Sequence, residues 1–281
     1  MNFKRIQGIF LIAFIVIDVF LFMMTKNSKV QDDSANAGNV NTTIIKDMKR
    51  DNITVGSLST AKHTGYYLSA EPQTDFGPRL ATLKNQNARS ENGTIVSDLR
   101  TPVKVAATHP ERTLTKLLRK RPGFVLDAKQ YRYDPDLSTK TKVVYAQQSP
   151  AGPFFSANAQ LTFSIVNQRV IGYTQRELGN VKILHDKADL ITEERAVISL
   201  YQYNELPNNA KILWTKLAYT RFLELSGKEV YIPTWVIAMN TKSNPKVQIK
   251  RINALNGASF NTEKVQEQPN GTAKVESVKN E

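Results

Sequence analysis

The sequence predicts an α+β fold, in which an N-terminal transmembrane helix precedes two packed subdomains of antiparallel sheet and helix. Three observations support this prediction: an apolar run fills residues 6–24, later segments alternate apolar and polar residues as strands do, and amphipathic segments begin with residues that favour helix starts. The predicted segments in chain order are a cytoplasmic N-terminus (1–5), a transmembrane helix (6–25), a flexible stalk (26–41), a first α+β subdomain (42–125), a second α+β subdomain (126–261) and a disordered tail (262–281).

The apolar run is long enough to span a bilayer. It would form a helix of about 28 Å, with Gln7 and Asp18 as the strongly polar interruptions. Lys4 and Arg5 precede it, so the positive-inside rule places the N-terminus in the cytoplasm and the rest of the chain outside the cell. A cleaved signal peptide is the alternative, because Ala35–Ala37 has a small-x-small form. Since that site lies well beyond the apolar run, an uncleaved single-pass anchor is favoured.

One acidic residue interrupts this run. Steps of four along a helix put Phe10, Phe14, Asp18 and Phe22 in one row. A carboxylate at the centre of a membrane helix costs about 2.5–3.5 kcal/mol on insertion scales. Asp18 either sits shallowly, protonated or with local thinning of the bilayer, or it bonds a polar group on a neighbouring membrane helix. The second interpretation makes the row a predicted partner-binding surface.

The first subdomain combines helices and strands. Helices are predicted over residues 41–51, 75–87 and 109–123, and strands over residues 53–59 and 65–71. The segment 109–123 is the clearest helix: Pro110 suits its first turn, Glu111 favours its positive end, leucines form an apolar stripe, and Pro122-Gly123 ends it.

Basic side chains crowd the same helix. Opposite the leucines lie Arg112, Lys116, Arg119 and Lys120, followed by Arg121. One interpretation is an ordinary solvated face. The other is a face that docks onto lipid headgroups or an acidic protein surface, which makes the first four residues the predicted contact with an anionic surface.

The second subdomain is rich in strands. Strands are predicted over residues 129–134, 142–148, 158–167, 169–178, 210–225, 229–239 and 246–257, and a helix over residues 191–206. Leu161, Phe163 and Ile165 alternate with polar residues, as in an antiparallel sheet with one covered face. Thr192 is the expected cap of the helix, with glutamates in the first turn that follows.

Composition excludes several kinds of chemistry. The 281 residues include no cysteine, so disulfides, thiolate metal sites and cysteine nucleophiles are absent. The net charge of +13 favours contact with acidic lipid headgroups or an anionic wall polymer. Because most of the chain is expected outside the cell, no nucleic-acid partner is expected.

No motif in the sequence indicates a metal or a cofactor. His63, His109 and His185 are far apart, and none stands in a paired ligand motif. The segment 134–139, with the letters DPDLST, begins like a calcium loop but lacks the central glycine, and Tyr145 stands where the loop needs Glu. A turn between two strands explains it better.

The pattern S-x-x-K of penicillin-interacting serine enzymes occurs twice, at Ser59–Lys62 and at Ser243–Lys246. Neither the S-D-N nor the K-T-G companion is present. Two matches in a lysine-rich chain indicate chance, so we expect no enzymatic activity. A serine hydrolase using Ser59 and Lys62 is the weakest alternative.

Three stretches carry a resemblance to a known family. They are YRYDPDLSTKTKVVYAQQSPAGPFFSANAQLTFSIVNQRVIGYTQREL (131–178), VYIPTWVIAMN (230–240) and RINALNGASF (251–260). With the acidic residue in the anchor and the stalk, the chain resembles the YycI group of the YycH/YycI regulators of Gram-positive bacteria. The resemblance covers the anchor and residues from about 110 to 260, and is weaker over 40–105, where the layout alone matches.

This resemblance implies a bitopic protein with an exported α+β domain and no enzymatic activity. Its implied partners are the sensor histidine kinase of the WalK/YycG type, which controls cell-wall metabolism, and a YycH-like sister protein. In the family the membrane helices are implicated in the contact with the kinase. The alternative is an anchored extracellular binding module for anionic wall polymer or a small exported ligand, with the membrane helix as a tether.

Overall fold

The computed structural model describes residues 11, 13–21 and 34–260. The chain divides into two units, Met1–Asp47 and Met48–Glu281. Residues 13–21 are helical and form α1. Among the described residues, no helix combines the length and the apolar character needed to cross a membrane. Large parts of the predicted transmembrane helix and stalk, and the whole predicted tail, lie outside the described residues.

The remaining elements follow in chain order. The α-helices are α2 (Ser34–Arg50), α3 (Gly77–Leu80), α4 (Pro110–Lys120) and α5 (Glu193–Gln202), and two 3₁₀ helices span Ala128–Gln130 and Ala157–Ala159. The strands are β1 (His63–Gly65), β2 (Leu68–Pro72), β3 (Gln86–Glu91), β4 (Thr94–Lys104), β5 (Tyr131–Asp134), β6 (Lys142–Ser149), β7 (Gly152–Pro153), β8 (Gln160–Val166), β9 (Arg169–Gln175), β10 (Leu178–Ile183), β11 (Ala188–Leu190), β12 (Ala210–Leu225), β13 (Lys228–Thr241) and β14 (Gln248–Asn253).

A seven-stranded antiparallel sheet carries an extensive apolar core. Its strand order is β3-β4-β9-β8-β6-β5, and β7 pairs with β6. Helix α4 packs its leucines against this core, where fully buried Leu114 belongs to the same apolar cluster as Phe124 and Phe163. Leu161 and Phe163 are fully buried and Ile165 nearly so, which confirms the alternation expected of this strand.

A five-stranded antiparallel sheet forms the second layer, in the order β10-β2-β13-β12 with β14 also paired to β13. One edge of β13 is shared, because β2 pairs with its residues 229–231 and β14 with its residues 234–239. Helix α5 contacts β13 and β14. The hydroxyl of Thr192 accepts a hydrogen bond from the backbone N–H of Arg195 at 3.2 Å, so the predicted cap is confirmed.

The antiparallel sheets and few helices confirm the α+β class. Both large sheets take strands from either side of residue 125, where the sequence suggested a boundary. β4 pairs with β9 in the first sheet, and β2 lies between β10 and β13 in the second. Long-range pairing therefore builds each sheet from distant parts of the chain.

Several elements differ from the sequence-based expectation. Helix α2 begins at Ser34, inside the predicted stalk. Residues 53–59 are irregular rather than a strand, apart from a bridge from Thr54 to Lys211. The helix predicted over 75–87 is only the four-residue α3; turn and irregular residues follow it, and strand β3 begins at Gln86.

The hairpin β3–β4 was missed, although the sequence contains its turn. Asn92 and Gly93 both have positive φ, 48° and 70°, as a two-residue hairpin turn of the primed type requires. An Asn-Gly pair between two runs of strand-forming residues is a recognised signal for such a turn. The polar character of Gln86–Glu91 obscured it, because that strand lies at the edge of the sheet and is mostly exposed.

Candidate functional site

The acidic row of the predicted anchor lies partly within the described residues. Phe14 and Asp18 are exposed on α1, whereas Phe10 and Phe22 lie outside the described residues. Since side chains four residues apart share a helix face, Phe14 and Asp18 lie on one side of α1. Asp18 is the only charged residue among the described residues of this helix.

The basic face of α4 has the predicted geometry. Arg112, Lys116, Arg119 and Lys120 are all exposed, on the side away from buried Leu114. None of the four basic side chains forms an ion pair with another residue that the structure describes. The helix therefore offers four free cations, and their partner stays a prediction.

The three histidines lie in separate environments. His63 makes an edge contact with Trp235, His185 does so with Tyr67, and Nδ1 of His109 lies 3.2 Å from a carboxylate oxygen of Glu111. Within residues 11, 13–21 and 34–260, no group of three acidic or histidine side chains is placed to hold a metal ion.

Ser59 occupies an ordinary turn. Its hydroxyl accepts a hydrogen bond from the backbone N–H of Ala61 at 3.1 Å, and its own N–H donates to Glu193. In the second S-x-x-K match, Ser243 bonds the Thr241 hydroxyl at 3.0 Å. Both serine hydroxyls therefore bond an atom of a residue two positions away in the chain.

The segment that begins like a calcium loop holds a lysine instead. Asp134 and Asp136 each lie 2.7 Å from the ammonium group of Lys216, which belongs to β12 in the other sheet. The same ammonium lies over the ring of Trp214, 5.1 Å from its centroid. Because the one cation forms ion pairs with both carboxylates, this turn links the two sheets.

A second link between the sheets is a buried carboxylate that sequence reasoning missed. Glu229 in β13 is 1% exposed and accepts hydrogen bonds from Asn158, Arg221 and Tyr231 at 2.9, 3.0 and 2.5 Å. Arg176 in turn donates to Asn158 at 2.8 Å. A buried charge is tolerated when it is fully hydrogen-bonded, and three donors satisfy this one.

The third link is an amide that imitates a strand pairing. The side chain of Gln147 in β6 donates to the carbonyl of Leu178 and accepts from the N–H of the same residue, both at 2.8 Å. Both residues are buried. We call Gln147, Lys216 and Glu229, with these partners, the inter-sheet seam.

A titratable cluster lies where the chain passes from β9 to β10. Arg79 bonds both Asp127 and Glu177, with 3.3 Å to the latter. Burial, followed by the nearby Asp127 carboxylate, raises the pKa of Glu177 to about 7. Neighbouring Tyr131 is buried and donates to the carbonyl of Arg176 at 2.8 Å, and burial raises its pKa. No residue in the sequence pattern around these positions signals the cluster.

A family model described as YycI protein matches residues 31–255. The chain belongs to the YycI family. This confirms the resemblance carried by the central and C-terminal stretches. The YycI family consists of regulatory accessory proteins of the YycG sensor-kinase system and is not known as a family of enzymes. At a general level the family implies association with the YycG kinase and YycH, and a membrane-associated extracellular accessory domain.

Two solved structures are distantly similar to this YycI-family chain. One is the crystal structure of an uncharacterized protein from Eubacterium rectale ATCC 33656, with 10% identity, a TM-score of 0.44, and coverage of 75% of this chain and 89% of that chain. The other is the C-terminal domain of YpeB from Bacillus megaterium, with 13% identity, a TM-score of 0.34, and coverage of 79% and 95%. No curated protein matches the sequence. Both similarities are too remote to indicate a shared function.

Proposed function

We propose that this protein is a membrane-anchored, non-enzymatic accessory regulator of a YycG-type sensor histidine kinase that controls cell-wall metabolism. It acts with a YycH-like sister protein, and the contact runs through transmembrane helices. The observation that carries the proposal is the family match over residues 31–255. It is a single-pass protein with a cytoplasmic N-terminus and an extracellular C-terminal domain.

The proposed contact on the anchor is the row that contains Asp18. Every other described residue of α1 is uncharged, and Phe14 on the same side is 61% exposed. An acid inside an apolar helix usually faces a partner, a cavity or a proton path rather than lipid. We therefore assign Phe10, Phe14, Asp18 and Phe22 to the contact with the helices of the kinase or the sister protein.

Small energies suffice for this kind of regulation. Interhelical hydrogen bonds in membranes average about 0.6 kcal/mol, which is about a threefold effect on association. A bias of about 1–3 kcal/mol between two arrangements of a helix bundle changes their ratio about 5- to 150-fold. A carboxyl group that selects one register of neighbouring helices thus changes kinase output without binding tightly.

The test replaces Asp18 by Leu in the full chain, with Asp18→Asn as the variant that keeps hydrogen bonding. We expect Asp18→Leu to reduce co-purification with the kinase about threefold, because one interhelical bond is lost, and to change kinase autophosphorylation in membranes. Asp18→Asn retains most of both properties. Val19→Leu, on a different side of the helix, is the matched control and leaves both unchanged.

Normal co-purification and normal kinase output for Asp18→Leu, at unchanged membrane levels, would contradict the proposed contact. A second exchange separates the proposal from the tether alternative. Replacing residues 6–24 by an unrelated membrane anchor abolishes regulation if the helix carries the signal. Full regulation by that chimera would favour a tethered binding module instead.

A second proposed contact is the basic face of α4. Its four free cations, Arg112, Lys116, Arg119 and Lys120, suit an anionic surface such as lipid headgroups. Each basic residue near an anionic membrane contributes about 1 kcal/mol at most, within a Debye length. Binding of the full chain, held in nanodiscs of zwitterionic lipid, to separate phosphatidylglycerol vesicles should therefore weaken when these residues become Gln and when salt is raised.

A further inference from the structure

A basic cleft opens within the unit Met48–Glu281, at the opposite end of β13 from its pairing with β2. It has a volume of about 710 Å³ and is formed by the end of α2, the start of β12 and the end of β13. Each of these segments contributes a lysine: Lys49, Lys211 and Lys242. We call this feature the lysine cleft.

The three lysines have no counterion in the described chain. None forms an ion pair with a described residue, and the lining contains no acidic side chain. Lys216 and Lys250, by contrast, each lie within 3.0 Å of a carboxylate. Three like charges around one recess repel each other, and a bound anion would relieve that repulsion.

Neutral hydrogen-bond donors complete the lining. Asn52 and Asn209 also line the cleft, and their side-chain amides have no hydrogen-bond partner among the described residues. Asn240 makes only a long contact of 3.5 Å to Pro245. Unpaired amides beside unpaired ammonium groups are suited to an oxyanion that accepts several hydrogen bonds.

The backbone around the cleft is held firmly. The N–H of Thr54 donates to Ala210, and the carbonyl of Thr54 accepts from Ile212, at 2.8 and 2.9 Å. Asn209 donates its N–H to Asp51 at 2.9 Å, and Ile53 is buried beneath the cleft. These bonds fasten the residues after α2 to the start of β12, so the donors of both segments keep their spacing.

We propose that the lysine cleft binds a linear phosphodiester polymer. Lysine binds phosphate as a point charge, and the lining contains no arginine that would fix one planar anion in a bidentate contact. The volume lies within the range of about 300–1,000 Å³ typical of ligand sites. Three cations contributed by separate segments suit successive phosphates along a chain better than one isolated ion.

The concave shape favours a polymer over a bilayer. A flat bilayer contacts side chains that lie in one plane, whereas these three exposed lysines are arranged around a recess. This inference does not depend on the proposed regulation of the kinase, because it concerns residues outside α1 and α4. Its test therefore contains neither the kinase nor the sister protein.

The experiment measures binding of a fluorescein-labelled glycerol-phosphate oligomer to the full chain in nanodiscs of phosphatidylcholine, by fluorescence anisotropy. The test variant is Lys49→Gln/Lys211→Gln/Lys242→Gln. The matched control, Lys104→Gln/Lys140→Gln/Lys187→Gln, removes the same charge from three exposed lysines that lie outside both the cleft and α4. We expect the cleft variant to bind at least about tenfold more weakly and the control to change by less than about twofold.

Salt dependence gives a second readout. Each phosphate neutralised in a single-stranded polyanion contributes about 0.7 to the slope of log affinity against log salt. Loss of three contacts should therefore reduce the slope by about 2 in the cleft variant alone. Lys49→Arg/Lys211→Arg/Lys242→Arg keeps the charge and should retain binding, and the single variant Lys211→Gln gives a partial loss that needs no triple substitution.

Equal losses in the cleft variant and the control variant would overturn the proposal, because a diffuse positive field would then explain binding. Absence of oligomer binding would also overturn it. So would binding to phosphatidylglycerol vesicles, but not to the oligomer, that depends on the cleft lysines, since the phosphate source would then be a lipid headgroup.

Discussion

The core of the seven-stranded sheet and the inter-sheet seam are held together by different chemistry. The core is apolar and aromatic: Phe163 is fully buried and lies 5.6 Å from Tyr173 and 5.8 Å from Tyr145 between ring centroids. The seam buries an amide and a carboxylate, each satisfied by specific donors and acceptors. The core therefore tolerates substitution by apolar side chains of similar shape, whereas the seam depends on particular hydrogen-bond partners.

Because of this difference, mutations destabilise the core and the seam by different mechanisms. A cavity in the core removes dispersion and apolar burial in proportion to the volume lost. In the seam, removal of one partner leaves a buried polar group without a hydrogen bond, at about 1–3 kcal/mol for each group. The core supplies most of the stability, and the seam specifies how the two sheets meet.

The largest effect is expected in the core. Phe163→Ala should lower the free energy of unfolding by about 3–5 kcal/mol, because it leaves a cavity among packed rings. Denaturant unfolding of the full chain in mild detergent measures it, by fluorescence of Trp214 and Trp235. Val166→Ala, at an exposed position of the same strand, should change the value by less than about 0.5 kcal/mol. A small loss for Phe163→Ala would show that the core relaxes freely.

The next effect tests the seam. Gln147→Leu has nearly the same volume but leaves both the N–H and the carbonyl of Leu178 unpaired. We expect a loss of about 3 kcal/mol by denaturant unfolding, since two buried groups each cost about 1–3 kcal/mol. Gln148→Leu is the control, because its amide bonds only the nearby carbonyl of Ala146. Equal losses of unfolding free energy in the two variants would show that apolar burial, and not the hydrogen bonds of Gln147, stabilises the seam.

A smaller effect depends on pH. The pKa of Glu177 is raised to about 7 from an ordinary value of 4.5, so the folded state binds this proton more tightly than the unfolded state. Its contribution is fully present below about pH 4.5 and is lost as the pH rises through 7. Unfolding free energy should therefore fall by about 2 kcal/mol between pH 5 and pH 8 through this group.

Glu177→Gln should remove that decline, because the amide does not titrate. The measurement is the unfolding free energy at several pH values for the original chain and for Glu177→Gln. Glu194→Gln serves as the control carboxylate. An unchanged decline in Glu177→Gln would mean that another group titrates in this range. Arg79→Gln should shift the decline to higher pH, since the guanidinium of Arg79 favours the ionised form of Glu177.

The smallest effect lies outside both regions. Thr192→Ala removes the hydroxyl that caps α5 and should lower the unfolding free energy by about 1 kcal/mol. Thr192→Ser keeps the cap and should be close to the original value. A loss comparable to that of Gln147→Leu would indicate that α5 carries more of the tertiary packing than its single cap suggests.

Local patterns allowed several elements to be predicted closely. Helix α4 with Pro110 in its first turn, the alternation along β8, and the cap of α5 each depend on residues within about ten positions of one another. The period of the apolar residues and the residues at helix ends suffice for such elements. The same information was present at Asn92-Gly93, where a hairpin turn could have been recognised.

Those local patterns do not predict which distant strands pair with each other. Nothing near β2 indicates that it lies between β10 and β13, more than a hundred residues away. The partners of Glu229 come from three other positions in the chain. In the sequence, nothing distinguishes the lysines of the lysine cleft from ordinary surface lysines.

From its sequence this protein can be placed in its family, its α+β class assigned, and its basic character and Asp18 recognised, because composition and short-range periodicity carry that information. The tertiary structure supplies the sheet order, the inter-sheet seam and the lysine cleft. These arise where distant segments meet, and their energies depend on distances between side chains that no local pattern encodes. Burial raises the pKa of Glu177 for the same reason, since a carboxyl group acquires that environment only when the chain folds.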